Sequence, residues 1–266
     1  TGPNIQFLSL EQGFSEQRVG LALNLSKDNN GPLGSTMVEG IFAYHINYDN
    51  REMGESRNYL SFGIAPSIRQ TRLAMQDLQG DATDPALALL DDNSIEFNTA
   101  FGVFLFSEGL ELGVSAYNLI LGTEKVLSGT VKRYILPKGT LSLGYQYSLN
   151  QAVVLHPFAN LTVQFNGEFF TDLNMDGRIS INDQSSLELG TGLRYARQWE
   201  SGFAELLLFT GKFSYGPLSL GYQMNRPLSV KGGTGVGGNV FSLGFSTFPV
   251  GGGKPKSIKK PNSWFK

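Results

Sequence analysis

The stretch Asp172-Leu-Asn174-Met-Asp176-Gly177-Arg-Ile179-Ser180-Ile-Asn-Asp183 carries the residue types of a twelve-residue calcium loop. Asp172, Asn174, Asp176, Ser180 and Asp183 stand at the ligand positions one, three, five, nine and twelve, and Gly177 at the turn position six. The same stretch also alternates without a break. Leu173, Met175, Gly177, Ile179 and Ile181 share one parity, and Asp172, Asn174, Asp176, Arg178, Ser180 and Asn182 the other. A calcium loop must curl round its ion, whereas alternation of period two is the signature of an extended strand. The favoured reading is therefore a strand with one polar face. Calcium on these five residues is the alternative, and no other cofactor is expected.

Only two histidines occur, His45 and His156. A hydrolase would need a nucleophile beside one of them and a third group to orient it. Nothing near either in sequence supplies that, so both read as histidines held on a polar face. Gly235-Val-Gly237-Gly238 resembles a phosphate-binding turn, but no strand–loop–helix unit surrounds it. Arg18, Glu39, Arg69, Glu111, Glu188, Arg194 and Glu205 fall on the polar parity of their segments. Their mixed sign predicts mutual salt bridging, since a selective pore concentrates one sign. No enzymatic activity is expected.

The elements that must carry these residues are strands almost throughout. Between Thr140 and Asn150, Leu141, Leu143, Tyr145, Tyr147 and Leu149 alternate with Thr140, Ser142, Gly144, Gln146 and Ser148. The second face is small and uncharged, as suits a barrel wall between lipid and a polar interior. The same alternation recurs at Val19–Leu25, Phe42–Ile46, Leu60–Ile68, Leu110–Val114, Leu155–Phe165, Leu187–Tyr195, Leu218–Tyr222 and Phe241–Phe245, and more weakly near 5–11, 97–106 and 203–214. The expected fold is an all-β, transmembrane antiparallel barrel of roughly 12–14 strands, each about ten residues long. Residues 1–248 form the barrel and 249–266 a basic tail, with Lys254, Lys256, Lys259, Lys260 and Lys266, placed in the periplasm.

Composition agrees with this. Thirty-three glycines and only 17% charged residues fit a tightly turning all-β chain. The formal net charge of −2 argues against a nucleic-acid partner. The absence of cysteine excludes disulfide scaffolds and thiolate metal sites. No apolar run is long enough for a transmembrane helix. The short links are Ser107-Glu108-Gly109, Ser148-Leu149-Asn150-Gln151 and Asp183-Gln184-Ser185. Residues 70–96, 119–138 and 223–238 read as long loops, with a helical turn at Pro85–Leu90 in the first.

Several segments, in order, resemble the PorP/SprF family of outer-membrane proteins of the type IX secretion system. They are Val19-Gly-Leu-Ala-Leu through Asp28 to Gly31-Pro32, Phe42-Ala-Tyr44-His45-Ile46 and Leu60-Ser-Phe-Gly63-Ile64. Phe97-Asn98-Thr-Ala-Phe-Gly102-Val103, Leu112-Gly113-Val-Ser115-Ala-Tyr-Asn118-Leu119, Gly144-Tyr145-Gln-Tyr and His156-Pro157 follow. Asp172-Leu-Asn174, Leu189-Gly190-Thr-Gly-Leu-Arg194-Tyr195 and the end at Pro261-Asn-Ser-Trp-Phe265 complete the likeness. The resemblance implies a place in the cell outer membrane, in contact with its lipid and with type IX translocon components. It also implies export or surface anchoring of large cargo bearing C-terminal signal domains, such as gliding adhesins. A porin-like transport channel is the alternative. The family brings no catalytic residues to carry over. Its usual signal peptide, Asn-Pro-Ala-Tyr-type segment and Arg-x-Gln-Trp motif do not precede Thr1-Gly2-Pro3, so a first strand is expected to be missing from this chain.

Overall fold

The computed structural model describes residues 4–14, 18–31, 33–48, 58–73, 93–120, 123–127, 131–134, 136–182, 184–198, 202–230 and 238–245. They form β-strands and turns only, with no helix among the described residues. Two compact units divide the chain: residues 1–108 with 113–140, and residues 109–112 with 141–266. The first holds β1 (Asn4–Phe14), β2 (Val19–Asn30), β3 (Leu33–Asn47), β4 (Asn58–Leu73) and β5 (Asn93–Ser107). It also holds most of β6 (Leu110–Tyr117) and the two-stranded hairpin β7 (Thr123–Leu127) and β8 (Val131–Tyr134). The second holds most of β9 (Lys138–Tyr145), then β10 (Tyr147–Ser148), β11 (Val153–Gln164), β12 (Phe169–Ser180), β13 (Ser185–Gln198), β14 (Gly202–Tyr215), β15 (Leu218–Val230) and β16 (Gly238–Phe245).

Apart from β7 and β8, these strands belong to one 14-stranded sheet that follows the chain, strand beside next strand. The order runs β1 to β6, then β9, then β11 to β16, with β10 paired to β11. Every ladder whose register is described is antiparallel, as short hairpin connections require. The strand count agrees with the expected twelve to fourteen.

Burial is inverted relative to a water-soluble protein. Among the described residues the one buried hydrophobic side chain is Ala100, while Ser61, Thr71, Thr162, Asp172, Ser185, Ser186 and Ser214 are buried. The expected apolar parity is exposed in both units: Phe42, Phe62 and Ile64 in the first, Leu141, Leu173, Leu189, Leu220 and Phe241 in the second. Large hydrophobics in water seek a core, so a sheet that leaves so many of them exposed departs from the pattern of a water-soluble protein. An apolar face of this kind fits a sheet whose backbone groups are satisfied by neighbouring strands, as in a membrane barrel.

Several strands outrun the expected ten residues, and the long loops shrink accordingly. β4 reaches Leu73, β15 reaches Val230, and β7–β8 occupies part of 119–138. Sequence periodicity missed these extensions because Gln70, Thr71 and Arg72 are polar on both faces; there the ladder to Thr36, Ser35 and Gly34 of β3 is carried by backbone hydrogen bonds alone. In β15 the obstacle is Pro227, which cannot donate to a ladder. It sits beside a register shift: Leu206 pairs with Pro227 but Glu205 with Ser229, so Leu228 is the extra residue of a bulge. The 97–106 stretch, apolar on both sides, is explained by Phe104 and Phe106, which turn to the polar face and lie against Tyr59, with Phe106 stacked at 5.2 Å. The Glu108–Gly109 turn opens β6; Gly109 has φ +99°, and a Cβ there would stand 2.7 Å from the Gln146 carbonyl oxygen. Residues 85–90, Asp183, the side chain of Glu205 and the 249–266 tail lie outside the described residues.

Candidate functional site

The polar face of the second unit is organised in rows that run across the strands. Reflecting β12 on to β13 about position 183 sets Asp172 opposite Arg194, Arg178 opposite Glu188 and Ser180 opposite Ser186. Carrying the same rows to β14 sets Glu188 opposite Lys212 and Ser186 opposite Ser214. Directly opposed side chains of a pleated pair lie close enough to interact, so the register alone dictates the charge pairing.

Three consequences follow. Arg194 donates to Asp172 through Nε at 2.6 Å and Nη2 at 2.9 Å, a two-pronged ion pair that also lies 5.4 Å from the Phe170 ring. Glu188 sits between two cations, Lys212 Nζ at 3.4 Å and Arg178 Nε at 3.8 Å. These groups are partly exposed, so each such contact contributes only about 0–1 kcal/mol. His156 Nε2 is 3.2 Å from Glu111 Oε2, its ring stacks on Phe158, and Gln146 Nε2 donates to the other Glu111 oxygen at 2.6 Å. Between these rows lies a cavity of about 570 Å³, lined by His156, Asp176, Arg178, Glu188, Thr210 and Lys212 among others.

The candidate calcium ligands are placed as follows. Asp172, Asn174, Asp176 and Ser180 all lie in β12, and Asp183 lies outside the described residues. Alternate residues of a strand are about 6.7 Å apart, so their oxygens do not converge on one point as ligands at 2.3–2.6 Å would have to. Asp172 is engaged by Arg194, and Asn174 leans over Gly192. No group of three or more His, Cys, Asp or Glu side chains poised for a metal is found among the described residues.

In the first unit, His45 Nδ1 lies 2.6 Å from Ser61 Oγ, its direct partner across β3 and β4. Local sequence gives no hint of this pair, which is 16 residues apart; the register of the hairpin does. The Ser61 hydroxyl is buried, and no carboxylate is recorded on the His45 ring among the described residues, so the contact orients a ring and offers no activated nucleophile. A second chain of hydrogen bonds runs across β1 to β3, from Ser9 to Asn24 at 2.8 Å and from Asn24 to Glu39 at 3.0 Å. Arg69 meets Met37 Sδ at 3.6 Å, and Lys138 stands 5.2 Å over the Tyr117 ring. Around them is a smaller cavity of about 130 Å³.

The model of the family described as type IX secretion system membrane protein PorP/SprF matches residues 1–245. The chain belongs to the PorP/SprF family. No curated protein shows significant similarity to it. This PorP/SprF protein is thus a membrane component of type IX secretion, and its all-β sheet with exposed apolar face agrees with that membership. The family is one of secretion-system membrane components and not a known family of enzymes.

Proposed function

We propose that this chain closes as an outer-membrane β-barrel whose apolar face meets lipid, and that it assists export or surface anchoring of large type IX cargo through the cargo's C-terminal domain. The observation that carries the reading is the inversion of burial on a sheet that matches the family over residues 1–245. Cargo docks within the segments read from the sequence as long loops, 70–96, 119–138 and 223–238, the second of which contains the β7–β8 hairpin. An extended cargo segment could add as a strand to a hairpin edge. The basic 249–266 tail faces the periplasm and meets other translocon components.

A porin-like channel is the second reading, favoured by the 570 Å³ cavity on the polar face. Against it stand the paired charges of mixed sign, Asp172 with Arg194 and Glu188 with Lys212. Affinity purification from native membranes in mild detergent tests the first reading: a large surface protein should co-purify. Removing 231–237 should abolish that co-purification while heat-modifiable gel migration persists. A large steady conductance in planar bilayers without cargo association would instead establish the channel.

A further inference from the structure

The row above the Glu188 pairs has an unused carboxylate. His156, Asp176, Gly190, Thr210 and Gln223 stand opposite one another in turn across β11 to β15. Asp176 and Thr210 lean over Gly190 from either side, so that Asp176 Oδ1 and Thr210 Oγ1 stand where a β-carbon at 190 would be. Gln223 lines the same cavity and donates its Nε2 to Asn225 Oδ1 at 2.9 Å, a bond that does not use its side-chain carbonyl oxygen. Of the cavity's permanent cations, Lys212 donates to Glu188 at 3.4 Å, and Arg178 stands with its Nε 3.8 Å from the same carboxylate, too far for a hydrogen bond. Three carboxylates, Glu111, Asp176 and Glu188, thus face two permanent cations, and Asp176 is the one that no hydrogen bond or ion pair reaches among the described residues.

From this geometry we infer that the cavity binds a primary ammonium group beside Asp176, on the cavity side of Gly190, with Asp176, Thr210 and Gln223 accepting its three N–H bonds. The reasons are complementarity of charge and of valence. A single positive charge balances the surplus carboxylate, and an ammonium offers three donors and no acceptor. A calcium ion would require six to eight oxygens, whereas this row offers one carboxylate, a hydroxyl and an amide. The room around the row, about 570 Å³ with Gln146, Ser242 and Tyr222 at its edge, suits an organic amine far better than a bare ion. Two sources share this chemistry: the amine of a polypeptide and an ethanolamine headgroup. The inference does not depend on the secretion reading, since it uses only the polar face of the second unit.

The test is NMR of the full chain, isotope-labelled in detergent micelles, following the Gly190 amide during titration with propylammonium chloride. A saturable shift is expected. Asp176→Asn, which keeps the side-chain shape, should raise the half-saturation concentration at least tenfold with the rest of the spectrum unchanged. Potassium and tetramethylammonium, which cannot donate three N–H bonds, should produce no shift at equal concentration. Glycerophosphoethanolamine and triglycine amide are then compared, and saturation by either supports the site and names the source. An equal response to potassium, an unaltered response in Asp176→Asn, or no saturation by any amine would overturn the inference whatever the fate of the cargo experiments.

Discussion

Replacing Arg194 by Met is the sharpest probe of the polar face. The change keeps the alkyl stem and removes two charge-assisted hydrogen bonds, at 2.6 and 2.9 Å, from a carboxylate that is only 7% exposed. A hydrogen bond to a charged group is worth about 1.5–3 kcal/mol, and a buried charge left alone costs more than the bond it lost. The Arg194 side chain is 42% exposed, so water screens part of the interaction and offsets part of that loss. The contact with the Phe170 ring adds about 0.5 kcal/mol. The expected net loss is about 2–3 kcal/mol. Guanidinium unfolding of the protein in phospholipid vesicles, read by tryptophan fluorescence, measures it. The cycle with Asp172→Asn should give a coupling of about 1.5 kcal/mol or more, because the two residues are direct partners in the register. A cost for Arg194→Met below about 0.5 kcal/mol, or additivity of the two changes, would refute the view that register pairing of charges rigidifies this face.

The remaining predictions use the same folding assay unless stated. Leu173→Arg, on the exposed apolar face of β12, should destabilise the vesicle-embedded protein by about 2–4 kcal/mol if that face meets the bilayer interior; a cost near zero would count against lipid contact. Gly192→Ala should cost less than about 1 kcal/mol, because the β-carbon there meets the end of the half-buried Asn174 side chain, which can swing aside. Gly40→Ala, in β3 with nothing within 4 Å of the added carbon, should be neutral or slightly stabilising. Chelation by EGTA should leave the melting temperature unchanged, since β12 spaces Asp172, Asn174 and Asp176 along an extended backbone; a fall restored by calcium would revive the loop reading.

Much of this architecture was legible from alternation alone. Leu141, Leu173, Leu189 and Leu220 were assigned to the apolar parity by counting in twos, and each is exposed on that face. Counting failed where neither face of a strand is apolar. Gln70-Thr-Arg72 carries no contrast between faces, yet it is held in β4 by its ladder to β3. The site was less legible for a related reason. Period two says which face Asp172, Arg178 and Glu188 share, but not which of them meet. That depends on where the chain reverses, and a displacement of the turn by one residue exchanges every partner. Once the reversal is centred on position 183, the pairs of Asp172 with Arg194 and Arg178 with Glu188 follow. The His45–Ser61 contact needed the same information for β3 and β4, across a link whose length no local pattern fixes. Nor could spacing reveal that Asp176 lacks a cation, because that outcome depends on where Arg178 and Lys212 both turn.

The distribution of grease in this molecule also determines when it can acquire its shape. In water, collapse would hide the very side chains that Leu173, Leu220 and Phe241 represent, and the native arrangement would lie uphill of any clump that sequesters them. If that face meets lipid as proposed, the ladders can be completed only at the bilayer, where those side chains find their solvent. A substitution that slows that step would then appear as a shortfall of folded protein, before any defect in the finished sheet.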